Sequence, residues 1–389
     1  MKKILIFQLK NVCYNSYTYF ENQIGHGLEK AGYDVTYFQA GRDGQLEDIE
    51  QFIGQHFDLI LEFNSDLPKV FLEDDSHFLS RMNAPFLDFI LDHPLYHHDM
   101  LKQQIDNFYV CCMDENHRNY IRENYPHIRD VRVFPMTGET HPPAVPFADR
   151  EIPLLFSGTY TCTADVWSAI EVCPPFIGRD IKKLIDIMLG DSSLPMEDAV
   201  KQLAKETDSL IEQNFALHMQ AYFLADTYIR SYQREQMVTA LAENGYPLTI
   251  YGGNWDQLPC KNRSSLTLHT GIPYEQSFAL MSHAKVVLNV MPLFKSGSHD
   301  RVLASMLNSS VSLTDSSLYL REHFTDKKDI VFYSIDNVDS LLESAELLLH
   351  NDSLAGQIAD NGYLSASRSH TWENRMEELL PLIHGITSC

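Results

Sequence analysis

The sequence predicts an α/β protein built from two doubly wound parallel sheets. Three observations carry this expectation. Strand-like apolar runs alternate with helical stretches along the chain, the pattern of parallel strands joined by crossover helices. The alternation breaks at residues 137–151, TGETHPPAVPFADRE, which are rich in proline and lack periodicity, so they read as a linker. Finally, 389 residues are many for one hydrophobic core and suit two.

Taken in order, KILIFQ (3–8) is a strand, followed by a helix near 18–31 that ends at Gly32, then the strand DVTYFQ (34–39). DLILEFN (58–64), APFLDFILD (84–92), FYVCCMD (108–114) and VRVFPM (131–136) extend the first series, with the helix ENHRNYIRENY between the last two. Asp114 is suited to cap that helix. A second series opens with IPLLFSGTY (152–160) and resumes only at PLTIYGG (247–253). Residues 164–244 are helical by pattern, far beyond the usual connection, so a helical insertion over about 163–228 is expected. It is read as a place for acceptor binding or for contacts between copies of the chain. The series then runs SLTLHTG (265–271), a helix EQSFALMSHA, VVLNVM (286–291), a helix at 300–308, VSLTD (311–315) and DIVFYS (329–334). Helices at 337–349, 353–366 and 371–385 close it. The domains are thus 1–150, 151–370 and a terminal segment 371–389 that packs back across both.

Composition excludes several partners. A formal charge of −23 disfavours nucleic acid and anionic membranes, which bind through excess Lys and Arg. The N-terminal apolar run is too short for a signal-peptide core, and no run is long enough to span a bilayer. Seven cysteines without a CxxC pair suit reduced thiols, so a cytoplasmic location is expected. The loop after the first strand lacks GxGxxG, so no dinucleotide fingerprint is present.

The stretch with the clearest chemistry is VVLNVMPLFKSGSHDRVLASML (286–307). A buried strand carrying Asn289 breaks into a loop of Lys295, Ser296, Gly297, Ser298, His299, Asp300 and Arg301 that opens into a helix. Ser296, Gly297, Ser298 and Asp300 provide turn and N-cap chemistry. The free N–H groups and positive dipole end of such a helix favour a diphosphate, and Lys295, His299 and Arg301 add charge or donors. Gly158 and Thr159 end one strand, Tyr251, Gly252 and Gly253 end another, and glycine there allows a ligand, or a tight turn, to come close. Gly271 and Tyr274 precede the next helix, where backbone can meet a nucleotide base. At the end of APFLDFIL, Asp92 and His93 place a carboxylate beside an imidazole, a usual general-base pairing, with Glu139 in reserve. No metal is expected: no DxD-type pair follows a strand, and the His93/His97 spacing is disturbed by Pro94.

The motifs FSGTY, LTIYGGNW, LHTGIPYEQSFALMSHAKVVLN, GSHDRVLASML, LTDSS followed by YL, and NGYLSASRSHTWENRMEEL, in this order and spacing, resemble the GT-B glycosyltransferases. In particular they resemble the spore-maturation (CgeB-like) branch of the group-one transferases, over residues 245–385. The resemblance implies two Rossmann-like domains facing a cleft. A nucleotide sugar, with UDP-sugar expected, would be bound by the second, and a protein, glycan or cell-surface acceptor by the first. No cofactor is implied. The sequence departs from the family at the E-x7-E pair, whose aligned positions here are Ser296 and Ala304. The glutamate that would hold the donor ribose is therefore absent. A nucleotide-sugar epimerase of the same fold, or a binding or coat protein without turnover, stand as alternatives to glycosyl transfer.

Overall fold

The computed structural model describes residues 1–8, 13–39, 48–143, 145–207 and 210–388. Its backbone contacts divide the chain into two units, 1–136 with 372–389, and 137–371.

Unit 1 carries a six-stranded sheet of β1 (Lys3–Gln8), β2 (Asp34–Gln39), β3 (Leu59–Phe63), β4 (Phe86–Ile90), β5 (Phe108–Cys112) and β6 (Asp130–Val133) in the order β2-β1-β3-β4-β5-β6. Every pairing is parallel. Strands β3 and β4, apolar but for Glu62 and Asp88, are buried along their whole length, as a sheet covered on both faces requires. The helix Ser16–Lys30 follows β1 and packs against the C-terminal helix Trp372–Ile386. Trp372 donates its indole N–H to the Tyr19 hydroxyl at 2.9 Å, and a Cβ on Gly27 would lie 2.5 Å from Met376 Cγ. Residues 372–389 therefore belong to the first sheet's unit.

Unit 2 holds β7 (Ile152–Ser157), β8 (Leu248–Tyr251), β9 (Leu266–His269), β10 (Ala284–Asn289), β11 (Val311–Asp315) and β12 (Val331–Tyr333), ordered β12-β11-β10-β7-β8-β9. These pairings are also parallel. Between β7 and β8 the chain passes through the helices Thr163–Glu171, Pro175–Gly190, Met196–Thr207, Leu210–Gln213, Phe215–Ala221 and Phe223–Glu243. The segment read as a linker is docked onto this unit. Arg150 sends its guanidinium to the carbonyls of Ala284 (2.8 Å) and Asn308 (3.1 Å), and Thr137 Oγ1 donates to the His370 carbonyl at 2.5 Å. No helix among the described residues is long and apolar enough to cross a membrane.

In each sheet the first strand lies inside the order, so successive strands leave it in opposite directions. The crevice outside the carboxyl ends of the two strands at that reversal is where open α/β sheets take ligands. In unit 2 those strands are β7 and β10.

Candidate functional site

At the reversal point of unit 2, Arg301 and Arg234 converge on the ring of Phe156 in β7, their guanidinium carbons 5.4 and 5.9 Å from its centroid. Arg301 stands in the first turn of the helix Asp300–Leu307 and donates Nη1 to Asn289 Oδ1 at 2.8 Å. Asn289 is fully buried at the end of β10, and its amide nitrogen donates to Thr314 Oγ1. Arg234, on the Phe223–Glu243 helix, donates Nη1 to the Thr159 carbonyl at 2.6 Å, and its Nε has no hydrogen-bond partner among the described residues. Burial pushes the Arg234 guanidinium down to about 9, and the neighbouring charges of Arg301 and Arg230 add to the fall. The Arg301 guanidinium is lowered for the same first reason. Arg230 is ion-paired with Asp226 at 2.7 Å. Two like charges held together against an apolar ring make a site of strong positive potential, which an anion relieves.

The helix start beside them is built differently from the expectation. The cap is His299, whose Nδ1 accepts the Arg301 backbone N–H at 3.2 Å, while Asp300 is the first helical residue. His299 Nδ1 also lies 3.0 Å from Asp300 Oδ1. A neutral ring serves the cap and a protonated one the carboxylate, and one nitrogen cannot do both. Tyr274 donates its hydroxyl to Asp300 Oδ2 at 2.6 Å, and the Asp300 charge bears on Arg301, partly offsetting its burial. Ser298 is fully buried, and Gly297 offers its carbonyl to the Ser317 hydroxyl at 2.6 Å. Lys295 faces acids on other elements: its charge bears on buried Asp315, whose carboxyl burial raises to about 6, and on Asp191. Ser296 lies between these two anchored positions.

The glycines at the ends of β7 and β8 pack against each other. A Cβ on Gly252 would sit 2.0 Å from the Gly158 carbonyl oxygen, so this crossing has no room for a side chain. That same carbonyl accepts the Trp255 indole N–H at 2.7 Å, and Gly253 offers its own to the Tyr160 N–H. Tyr160 and Trp255 are buried in the core. Tyr251 stacks on His269 (4.4 Å between centroids) and, with Ile272 and Glu275, lines a depression of about 490 Å³. Gly271 immediately precedes Ile272 in that wall.

In unit 1, Asp92 and His93 follow β4. Asn64, at the end of β3, accepts the Leu91 N–H at 2.8 Å and donates to Asp92 Oδ2 (3.2 Å) and to the Tyr17 hydroxyl (2.5 Å). His93 Nδ1 accepts the Leu95 N–H at 3.0 Å, capping the turn Pro94–His97. With that lone pair engaged, a neutral His93 carries its proton on Nε2 and acts as a donor, not as a base oriented by Asp92. His97 is buried with neither ring nitrogen partnered among the described residues, and burial lowers it to about 4. Beneath these loops the neighbours Glu62 and Asp88 are fully buried, and burial raises them to about 8 and about 7. Ser65 joins them, its hydroxyl donating to Glu62 and its N–H to Asp88 Oδ1 at 3.1 Å. Glu139, the reserve base, is exposed in unit 2. Among the described residues no group of three or more His, Cys, Asp or Glu is arranged to hold a metal ion.

Residues 230–381 match the family described as "Glycosyl transferase-like". Sucrose-phosphate synthase from Thermosynechococcus elongatus is similar over 100% of both chains, with a TM-score of 0.58 and 12% identity. The fold is GT-B. An α-glucosyltransferase in complex with UDP-glucose and DNA containing an abasic site aligns over 98% of this chain and 99% of its own (TM-score 0.57, 11% identity). Anabaena HepE in complex with UDP and glucose aligns over 99% and 100% (TM-score 0.52, 10% identity). No curated protein sequence matches the chain. The matched segment begins at Arg230 and so takes in Arg234, which sequence reading passed over as part of a helical run. The signal was there: Arg230 and Arg234, four apart, share one helix face.

Proposed function

We propose that the protein is a glycosyltransferase of the spore-maturation (CgeB-like) branch that transfers a hexose from a UDP-sugar to a glycan, protein or cell-surface acceptor, with neither metal nor cofactor. The family match and the GT-B fold support glycosyl transfer as such. The observation that carries the donor assignment is the pair of guanidiniums, Arg301 and Arg234, on Phe156 beside the start of the Asp300–Leu307 helix.

When the bond between the anomeric carbon and the diphosphate oxygen breaks, negative charge builds on the leaving diphosphate. Fixed positive groups aimed at that charge are the strongest device for lowering the barrier. Two arginines and a helix N-terminus provide it from the protein's own atoms. The depression at Tyr251, Ile272 and Glu275 is wide enough for the nucleoside, at the carboxyl ends of the neighbouring strands. In unit 1, Asp92, held by Asn64, takes the proton of an acceptor hydroxyl, and His93 beside it caps the turn that follows. Proteins with this fold in complex with UDP-glucose, or with UDP and glucose, support the choice of donor.

Isothermal titration with UDP tests the reading. Each charge-assisted contact is worth about 1.5–3 kcal/mol, so Arg301→Ala and Arg234→Ala should each weaken UDP by roughly 10- to 100-fold. Wild-type affinity in both variants would remove the donor site from this place.

A further inference from the structure

A second face of the Phe223–Glu243 helix lines a cavity. Gln233 is one residue before Arg234, and a helix turns by about 100° per residue, so its side chain leaves on a different side. There Tyr232, Gln233, Gln236 and Met237 meet Leu189 from the helix Pro175–Gly190 and Ile335 and Asp336 beyond β12, enclosing a cavity of about 210 Å³. At roughly 30 Å³ per water, this is space for about seven waters, or one sugar ring, and too little for a nucleotide.

The lining sets the ligand's character. A phenol, two carboxamides and a carboxylate supply donors and acceptors, while Leu189, Met237 and Ile335 supply an apolar wall. Among the described residues no Lys, Arg or His lines the cavity, and the Asp336 carboxylate, held by the Ser192 hydroxyl, disfavours an anion. A hydroxyl-rich neutral ring with one C–H face matches this set. The cavity also has an approach. Tyr232 stacks on Tyr228 one turn away (6.1 Å, 11° between planes), and Tyr228 meets Trp167 on the neighbouring helix Thr163–Glu171 at 5.3 Å. All three residues are half-buried. Lys182 lies over Trp167 at the far end of the row.

We infer that Trp167, Tyr228 and Tyr232 form a stacking track for a neutral oligosaccharide whose last unit enters the Tyr232–Gln236–Asp336 cavity. The track places acceptor recognition, in part, on the helices between β7 and β8. The role as acceptor site rests on the glycosyltransferase reading. Saccharide binding itself does not.

Saturation-transfer NMR with neutral pentasaccharides (malto-, cello-, chito- and mannopentaose), alongside UDP titration of the same samples, tests it. Wild type should bind at least one of them, and Tyr232→Ala and Gln236→Ala should each weaken it at least about tenfold, as for a central contact, while UDP affinity stays within twofold. Tyr232→Phe, which keeps the ring, should retain most of the binding. If Tyr232→Ala does not fold, Tyr228→Ser and Gln236→Ala decide. No binding of any pentasaccharide to wild type, or equal binding by the variants, overturns the track while leaving the UDP result to judge the donor site separately.

Discussion

Burial governs the chemistry of single residues here more than their identity does. Glu62 and Asp88 face each other across adjacent strands of unit 1 with Ser65 between them, and taking both carboxyls out of water favours their neutral forms. Their folded values, about 8 and about 7, stand above the ordinary 4.5 and 3.8 of the two side chains. Between those limits the folded state binds more protons than the unfolded one. Stability from this pair is therefore complete below about pH 4 and is lost as pH rises through 7 and 8. Glu62→Gln should flatten the loss and raise the melting temperature at pH 8.5 by about 2–4 °C for each kcal/mol recovered. Melts of both proteins from pH 5 to 8.5 check this, and parallel curves would count against a neutral Glu62. Asn64 shows the same dominance of surroundings: a plain strand-end residue in sequence, it ties Tyr17, Leu91 and Asp92 together in space.

At the scale of elements, the strand-loop-helix unit from β10 onward was legible in the sequence, and its details were not. The run VVLNVM suggested a strand over 286–291, whereas β10 begins at Ala284 and ends at Asn289. Parallel pairing of Ala284 with Ile152 and of Asn289 with Thr314 sets those limits, and hydrophobicity alone does not report them. Beyond Asn289 the chain turns because buried Asp315 takes the Met291 N–H. The cap fell to His299 because Ser298 is buried and its hydroxyl lies against the His299 carbonyl. Loss of a cap costs about 0.5–2 kcal/mol, so His299→Ala should lower stability by that amount and His299→Asp should restore most of it. Thermal denaturation of the two variants settles it: equal losses would mean His299 matters for something other than capping. The Phe223–Glu243 helix illustrates the converse. Its length and apolar content were readable, yet its Arg234 face and its Tyr232 face acquire meaning only from Phe156 and from Asp336, which lie far off in sequence.

For the whole molecule, two parallel six-stranded sheets are of like construction, and the net charge of −23 makes a local positive centre conspicuous. An anion entering that centre should order the backbone around it. Hydrogen exchange with UDP is expected to show protection at 157–160, 230–237, 251–253, 271–276 and 289–301 of unit 2. Protection absent from all five, or found only in unit 1, would contradict the donor assignment. The alternation of apolar runs with amphipathic ones, the proline-rich break and the turn residues by themselves determined the α/β class, the strands and the strand-loop-helix unit proposed to hold a diphosphate, because periodicity and turn chemistry are local properties. What only the tertiary structure decided was which charged groups share a space. Arg234 joins Arg301, Lys295 is claimed by acids, and Gly252 is spent on a backbone crossing, because burial and the approach of distant strands are properties of the packed chain and leave no mark on any short window of it.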